Sequence, residues 1–353
     1  MDVLFIGKRF YTNRDAYSEK FGRIYQLPYH WSKDMETTLW LIDYHSKQKI
    51  KDHDENLEII STPIFSFSFI FKLISIIIFE RPKKIVASGD CYIGLLGLFL
   101  SKICFSKFIF DVYDKYTTFS GYKKFLGFDS YNFLLKKSDV CLFASHKLQI
   151  DSKYLCKRTI LIPNGIDTNI FFPRDINISR AYFHLNKDYI YIGYFGSMEE
   201  ERGIDDLIEA VKILRQQDTN IYILLGGKIR ENLDLNYKFI IFLGNIPFTN
   251  VPIAMACCDL LALPYRNSEF LDNAASCKIS EYIAMQIPIV ATLSSNILQN
   301  FSLSENTSLD DFAIVNNIES LYKMIVFQLK ERKLTLNQSD KNRWSEISKK
   351  LFT

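Results

Sequence analysis

Two segments in the second half of the chain carry residues suited to binding a phosphate. The apolar run Tyr189–Tyr194 predicts a strand, and Gly196, Ser197 and Arg202 follow it. A glycine after a strand lets backbone N–H groups approach an anion, and an arginine beside it supplies a fixed cation. A plain turn followed by a surface arginine would have the same sequence, so this segment alone leaves both interpretations open.

The second segment is a predicted helix that begins near Ser276 and Cys277. The N–H groups of a helix start attract an anion, and Lys278 adds a positive charge there. Glu281 lies about one turn further on, where its carboxylate would accept hydrogen bonds from ribose hydroxyls. Asn273 or Ser276 acting as a helix cap would explain the same residues without a ligand, and the two interpretations are compatible.

Strands and helices alternate along the whole chain, which predicts parallel sheets joined by crossover helices. Strands are expected at Asp2–Ile6, Leu39–Asp43, Leu57–Ser61, Lys84–Ala87, Phe108–Val112, Val140–Ala144, Thr159–Ile162, Tyr189–Tyr194, Ile221–Leu225, Phe239–Leu243, Leu260–Leu263 and Ile289–Ala291. Helices are expected at Tyr92–Cys104, Tyr131–Lys137, Asp205–Gln216, Val251–Cys257 and Ser276–Met285. Such sheets bind ligands at the carboxyl ends of their strands, and two sheets facing each other would enclose a cleft.

The strand pattern pauses near Phe172-Pro173-Arg174, where polar residues take over. We therefore predict a Rossmann-like domain over residues 1–170, a second one over 171–338, and a charged amphipathic helix over 339–353. The length of 353 residues fits two domains.

A series of short motifs connects these segments in a fixed order. They are Pro-Asn-Gly-Ile-Asp at 163–167, Phe172-Pro173, Tyr194-Phe195-Gly196, Arg202-Gly203, Leu207-Ile208-Glu209-Ala210, Lys278-x-x-Glu281-Tyr282-x-Ala284 and Pro288-x-Val290-Ala291. The set resembles the retaining glycosyltransferases of family 4, over residues 158–295 closely and over the first half in outline. The resemblance implies an α/β fold of the GT-B type, with two Rossmann-like domains facing across a cleft and the C-terminal helix packing back on the first domain.

The resemblance also implies an activity: a sugar passes from a nucleotide-sugar donor to a glycan or lipid-linked acceptor, as in surface polysaccharide or glycoconjugate synthesis. Arg202 and Lys278 would stabilise the leaving phosphate, and Asp114 would be the acceptor-side carboxylate. The implied donor-binding residues are Gly196, Ser197, Asn245, Ile246, Asn273, Ser276, Cys277 and Glu281. No metal and no cofactor beyond the nucleotide-sugar co-substrate are implied.

The acceptor is expected in the first domain, where Asp111 and Asp114 follow a predicted strand. A carboxylate there would orient an acceptor hydroxyl, although Asp114 is equally suited to capping the next segment. The family often has His-Asp where this chain has Tyr113-Asp114. Further predicted contacts to the acceptor or to a phosphate are Lys8, Arg9 and Arg23.

Two departures from the family pattern keep other functions open. Asn273 stands where the family has a glutamate that touches the donor sugar, and Ser197 replaces a familiar basic residue. A sugar-nucleotide epimerase of the same fold and a catalytically silent sugar-nucleotide-binding subunit are the alternatives. A nicotinamide dehydrogenase is disfavoured because no Gly-x-Gly-x-x-Gly follows the predicted first strand.

Charge and cysteine content restrict the partners and the compartment. The net charge of +3 does not indicate nucleic-acid binding. Residues 102–158 hold eleven Lys or Arg against five Asp, an excess that fits anionic lipid, a phosphate-bearing acceptor or ordinary solvated surface. Seven cysteines without a Cys-x-x-Cys pair predict reduced thiols and a cytoplasmic protein, peripheral on the inner face of the membrane if the lipid interpretation holds.

Two further segments carry a structural prediction. The apolar segment Pro63–Phe79 is short for a membrane span and predicts a buried or surface-docking helix. Asp52-His53-Asp54 matches an Asp-x-Asp metal motif, but its very polar surroundings predict a solvated loop.

Overall fold

The chain divides after Gly165 into two α/β units in a computed structural model. The structure describes residues 1–11, 14–46, 48–118, 122–124, 127–294, 297, 313–314, 317–335 and 343–351. The first unit contains Met1–Gly165, Asn273–Ala275 and Trp344–Thr353, and the second contains Ile166–Asp272 and Ser276–Arg343. The boundary expected from the sequence lies a few residues beyond this division.

In the described residues, the first unit is built on an eight-stranded sheet. Its ten strands, two of which form a separate hairpin, are β1 (Val3–Lys8), β2 (Phe10–Tyr11), β3 (Arg14–Asp15), β4 (Thr37–Asp43), β5 (Ile50–Asp54), β6 (Leu57–Pro63), β7 (Lys84–Ser88), β8 (Lys107–Val112), β9 (Val140–Phe143) and β10 (Thr159–Leu161). The order across the large sheet is β10-β9-β8-β7-β1-β4-β6-β5. The neighbours pair in parallel except β5, which runs antiparallel to β6. All residues of β4 are buried, as expected for a parallel strand covered on both faces.

Helices connect the strands of this sheet. They are α1 (Gly22–Trp31), α2 (Phe67–Ser75), which continues into a π-helical turn at Ile76–Glu80, α3 (Cys91–Cys104), α4 (Ser130–Lys137) and α5 (His146–Ser152). Short polar side chains begin several of them: Asp90 accepts a hydrogen bond from the Ile93 N–H at the start of α3, and Ser66 caps α2 in the same way.

The described part of the second unit holds a six-stranded sheet of the same kind. Its strands are β11 (Ile190–Phe195), β12 (Ile221–Gly226), β13 (Ile240–Phe242), β14 (Leu260–Leu263), β15 (Ile289–Thr292) and β16 (Ala313–Ile314), in the order β13-β12-β11-β14-β15-β16 and all parallel. Its helices are α6 (Ile176–Tyr182), α7 (Ile204–Leu214), α8 (Val251–Ala256), α9 (Glu269–Asn273), α10 (Cys277–Ala284) and α11 (Ile318–Glu331).

The end of the chain returns to the first unit as α12 (Trp344–Ile347) and a 3₁₀ turn at Ser348–Leu351. Trp344 and Ile347 are buried in the core of that unit. The Trp31 indole N–H of α1 donates a hydrogen bond of 2.9 Å to the Ser348 carbonyl. The predicted packing of the C-terminal helix on the first domain is confirmed, while residues 339–342 and 352–353 of that prediction lie outside the described residues.

The polar segment Asp52-His53-Asp54 differs from its prediction, because it lies in β5 and not in a loop. As the edge strand of the sheet, β5 is held by its backbone pairing with β6, so its side chains need not alternate between core and solvent. The hairpin of β2 and β3 is also absent from the prediction, since two-residue strands give no periodic signal.

Candidate functional site

Glycines stand at the carboxyl ends of β11 and β12, namely Gly196, Gly226 and Gly227, and we call their backbone the glycine floor. Gly196 follows β11 with φ 137°, a backbone conformation that other residues rarely adopt. Its N–H donates a 2.7 Å hydrogen bond to the Gly226 carbonyl. Gly227 approaches so closely that a Cβ on it would overlap the backbone of Gly196. Other parts of the protein can therefore lie directly on the backbone at this edge of the sheet.

Lys278 covers this floor from the first turn of α10. A Cβ on Gly196 would overlap the Cε and Nζ atoms of Lys278. Its Nζ lies 3.4 Å from the Tyr194 hydroxyl and 5.2 Å from the centroid of the same ring. Ser276 precedes the helix, but its side chain makes no capping hydrogen bond. The ammonium group therefore lies above the strand-end glycine, at the positive end of the α10 dipole.

A second cation, Arg202, reaches the same place from the 3₁₀ turn that leads into α7. The next residue, Gly203, has φ 67°, and a Cβ there would overlap the Pro264 carbonyl at the end of β14. This close approach places the Arg202 guanidinium 4.9 Å from the centroid of the Tyr265 ring. Arg266 joins the same two segments through hydrogen bonds of 2.9 Å to both carboxylate oxygens of Asp206.

The two cations have no carboxylate partner at ion-pair distance within the part of the chain that the structure describes, although both are partly buried. Burial lowers the pKa of Lys278 and the charge of Arg202 lowers it further, while Tyr265 and Glu281 act in the opposite direction. Burial raises the pKa of Tyr265, but the charges of Lys278 and Arg202 outweigh it and the net shift is downward. Because buried charges in proteins are normally paired, this arrangement is typical of a site for an anionic ligand.

The Tyr265 hydroxyl oxygen is buried and meets no described residue at good hydrogen-bond geometry, although Ser276 and Lys278 lie close to it. The positive charges of Lys278 and Arg202 both act on this hydroxyl group, since both lower its pKa. An unsatisfied buried hydroxyl costs free energy, which a ligand oxygen accepting its hydrogen bond would recover.

Glu281 lies one turn after Lys278 in α10 and is 9% exposed. The orientation of this helix is fixed by the adjacent Tyr282, whose hydroxyl accepts a 3.0 Å hydrogen bond from the Phe195 N–H at the end of β11. The predicted residues Gly196, Lys278 and Glu281 therefore occupy one rigidly connected edge of the second sheet.

The loop after β13 also reaches this edge. The Gly227 N–H donates to the Gly244 carbonyl at 2.8 Å, and Ile246 packs against Gly226. Asn245 is exposed, and Ser197 accepts a 2.7 Å hydrogen bond from the Tyr194 hydroxyl through its carbonyl. Asn273, by contrast, ends α9 with a buried side chain and is grouped with the first unit.

In the first unit, Arg23 is fully buried in α1. Its Nη2 lies 2.6 Å from Asp111, and its Nη1 donates a 2.7 Å hydrogen bond to the Ile162 carbonyl. Ser88 donates a further hydrogen bond of 2.6 Å to Asp111. The geometry therefore gives Arg23 and Asp111, both expected near the acceptor, a structural role as a buried ion pair.

Tyr113 lines a small pocket in the first unit, and Asp114 follows it in the chain. Tyr11 stacks on Tyr113 with ring centroids 4.7 Å apart, and its hydroxyl donates a 2.5 Å hydrogen bond to Asp114. The pocket is lined by Tyr11, Arg14, Ala16, Phe21, Gly22, Ile24 and Tyr113. The remaining predicted cations are paired, Lys8 with Asp90 at 3.6 Å and Arg9 with Asp15 and Asp43 at 2.9 and 3.0 Å.

Comparison with known proteins agrees with this architecture. Residues 189–325 match the family model described as Glycosyl transferases group 1, a segment that contains Gly196, Arg202, Lys278 and Glu281. No curated protein sequence matches the chain. Sucrose-phosphate synthase from Thermosynechococcus elongatus has a similar structure, with a TM-score of 0.69, 14% identity, and coverage of 100% of this chain and 98% of that one.

Two further solved structures share the fold. HepE from Anabaena, in complex with UDP-glucose, has a TM-score of 0.67 and 15% identity over 99% of this chain and 93% of its own. A protein from E. coli with bound UDP-2-fluoro glucose has a TM-score of 0.66 and 11% identity over 99% and 98% of the two chains. The fold is GT-B. The predicted α/β class with parallel-sheet, Rossmann-like domains is confirmed.

Tyr265 and the Gly226-Gly227 pair in the second unit, and Tyr11 in the first, were missed by the sequence analysis. The first two lie within two residues of the ends of the strands predicted at Leu260–Leu263 and Ile221–Leu225, so the rule that ligands bind at strand ends would have found them. Tyr11 carried no such signal, because its partner Asp114 is 103 positions away in the sequence.

No group of three or more His, Cys, Asp or Glu side chains among the described residues is arranged to hold a metal ion. Within the described helices, none is long and apolar enough to cross a membrane.

Proposed function

We propose that the protein is a retaining glycosyltransferase that moves a sugar from a nucleotide-sugar donor to a glycan or lipid-linked acceptor, in surface polysaccharide or glycoconjugate synthesis. The observation that carries the proposal is a pair of neighbouring cations, Lys278 above Gly196 and Arg202 against Tyr265, with no carboxylate at ion-pair distance among the described residues. A diphosphate supplies the missing negative charge and fits a glycine floor at a helix start. The GT-B fold and the family match over residues 189–325 support the same function.

In this proposal the second unit binds the donor. Lys278 and Arg202 hold the diphosphate, and Tyr265 donates its unsatisfied hydroxyl to a phosphate oxygen. Glu281 accepts hydrogen bonds from the ribose, and the loop at Asn245 and Ile246 contacts the base. Because the HepE structure contains UDP-glucose, uridine nucleotides are the first donors to test.

The proposed chemistry needs no nucleophilic side chain. The acceptor oxygen forms a bond to the anomeric carbon on the face that the diphosphate leaves, so the configuration is retained. The bond between that carbon and the diphosphate oxygen breaks with its electron pair on the oxygen, which takes the acceptor proton. Lys278 and Arg202 stabilise the negative charge that develops on the leaving group. Asp114 is the proposed acceptor-side carboxylate in the first unit.

Thermal unfolding with a panel of nucleoside diphosphates and nucleotide sugars tests the donor site. A ligand at about a hundred times its Kd adds about 2.7 kcal/mol of stability, which raises Tm by roughly 2–4 °C. We expect a shift with one base, lost in Glu281→Ala. Glu319→Gln, which removes an exposed carboxylate from α11, is the control and should keep the shift. No shift with any nucleotide would contradict the proposal.

Donor turnover with water as acceptor tests the reaction. Proton NMR identifies the anomer of the sugar that is released first, before it equilibrates in solution. An α-linked donor should give the α-anomer together with the nucleoside diphosphate. Release of the β-anomer would disprove retention, and an epimerised sugar would indicate an epimerase. Binding without turnover, even with varied acceptors, would indicate a silent binding subunit.

A further inference from the structure

The helix α2 and its π-helical continuation expose a large apolar face and bury a smaller one that includes a charged residue. Phe67, Ile70, Phe71, Ile74 and Ile78 recur at the spacing of a single helix face, and their exposures range from 44% to 82%. Such spacing normally marks the face that packs on the core. Here the face toward the core carries Lys72, which is 8% exposed and bonds both oxygens of Glu80 at 2.7 Å.

Two further phenylalanines extend this surface at an energetic cost. Phe65, just before α2, and Phe105, just after α3, are 82% and 97% exposed. Both have left-handed backbone conformations, with φ 58° and 56°. A bulky residue in this region is strained by about 1 kcal/mol or more, and glycine or asparagine would occupy it at less cost. Burial offsets little of this strain, since Phe105 is almost fully exposed and Phe65 keeps one edge contact, with the Phe69 ring at 6.3 Å.

The end of α3 adjoins the π-helical turn, which makes the surface continuous. The Cys104 thiol contacts the Ile76 carbonyl at 3.8 Å, and the Ser106 hydroxyl donates a 2.5 Å hydrogen bond to the Pro82 carbonyl. We call the exposed side chains of Phe65–Phe79, together with Ile103 and Phe105, the apolar surface.

The border of the apolar surface is positively charged. Arg81, Lys102 and Lys107 are exposed at its edge and form no ion pair with the described residues. The carboxylate of Glu80 is already neutralised by Lys72 and accepts a hydrogen bond from Ser75. An occupant of this surface therefore meets apolar groups with three exposed cations beside them.

We propose that the apolar surface inserts into the interface of an anionic lipid bilayer. Aromatic and aliphatic side chains that project singly from a helix enter a fluid acyl boundary without needing matching cavities, and the cations at the border attract anionic headgroups. The proposal goes beyond sugar transfer and does not depend on it. It also differs from the attraction expected from the basic residues of 102–158, because the apolar side chains of α2 supply much of the affinity.

Sedimentation of the full chain with vesicles measures the binding. We expect binding to vesicles of phosphatidylglycerol and phosphatidylcholine and much weaker binding to phosphatidylcholine alone. High salt should weaken the binding without abolishing it, because the apolar contribution is not screened. No binding to anionic vesicles at any ionic strength would overturn the proposal, whatever the donor experiments show.

Substitutions within the apolar surface locate the contact. The double variant Phe71→Ser with Phe79→Ser should bind about tenfold more weakly or worse, because it removes two large apolar side chains from the interface. Lys102→Glu should weaken binding about fivefold or more. The matched controls are Tyr154→Ser, a 78% exposed aromatic residue of the same unit, and the exposed Lys238→Glu of the second unit. Equal losses in the variants and in their controls would overturn the proposal.

A conservative variant, Phe71→Trp, tests insertion directly. Its added fluorescence should shift to the blue and be quenched by brominated lipid, whereas Tyr154→Trp should show neither change. The three native tryptophans are buried and give a constant background. If the parent chain instead self-associates without lipid and the double variant stays monomeric in ultracentrifugation, the apolar surface is an interface between copies and the lipid proposal fails.

Discussion

Lys278 occupies the space that a Cβ on Gly196 would need. The two residues belong to different elements, the first turn of α10 and the end of β11, and their contact joins the helix start to the sheet edge. Tyr282 also joins α10 to β11, because its hydroxyl accepts a hydrogen bond from the Phe195 N–H. The position of the ammonium group therefore depends on the absence of a side chain at residue 196.

Gly196→Ala should displace Lys278 and strain the backbone. The ammonium would then lose a charge-assisted contact to the donor, so nucleotide affinity measured by calorimetry should fall about tenfold or more. Gly127→Ala is the matched control, because Gly127 also has positive φ, at 79°, but faces open space. Both variants should lose about 1 kcal/mol of stability, and only the first should lose affinity. Equal affinities would mean that Lys278 does not bind the ligand from this position.

Nucleotide affinity should fall as the pH rises from neutral toward the alkaline range. The pKa of Lys278 is lowered by burial and by Arg202, so the cation loses its proton below the ordinary lysine value of about 10.4. Protonated Lys278 binds the diphosphate and neutral Lys278 does not, so affinity is highest below its pKa. The pKa of Tyr265 is also lowered, and its phenolate would repel the ligand in the same direction.

Calorimetry from pH 7.5 upward measures this decline, in a range where the phosphate groups of the nucleotide no longer titrate. Lys278→Arg keeps the charge and should flatten the curve, and adding Tyr265→Phe should remove the remaining slope. A decline that is identical in the parent and the double variant would assign the titration to other groups.

Arg202→Ala should lower kcat more than it raises the donor KM. Its guanidinium is held against the Tyr265 ring, where it would meet charge that develops on the leaving phosphate. Loss of one such group typically costs about a hundredfold in kcat. Arg332→Ala, at an exposed position after α11, serves as the control. A raised KM with unchanged kcat would restrict Arg202 to ground-state binding of the donor.

Local signals explain which parts of the molecule were predictable. The parallel strands are continuous apolar runs in the sequence. Glycines after strands and basic residues at helix starts are also recognised from a few neighbouring residues. These signals led to Gly196, Arg202 and Lys278, which the structure brings to one sheet edge. Strand β5 gave no such signal, since its side chains are polar and its register is set by β6.

Non-local contacts explain what was not predictable. Arg23 has the sequence context of a surface cation, but Asp111, 88 positions away, holds it in the core. Arg9 is held in the same way by Asp43, 34 positions away. Burial of a charged residue depends on partners that only the folded chain brings near, and no periodicity or spacing reports them.

Arg23→Met should destabilise the first unit and leave the chemistry of a folded molecule unchanged. The Asp111 carboxylate would then be buried without its cation, and Ser88 would be its remaining side-chain hydrogen-bond donor among the described residues. We expect the free energy of unfolding to fall by about 3–5 kcal/mol. Urea unfolding followed by tryptophan fluorescence measures this unit selectively, because Trp31, Trp40 and Trp344 all belong to it.

Arg158→Met, an exposed position of the same unit, should change stability by less than about 0.5 kcal/mol. Adding Asp111→Asn to Arg23→Met should recover part of the loss, since the buried charge is then gone. Unchanged stability together with a raised acceptor KM would instead return Arg23 to the acceptor site.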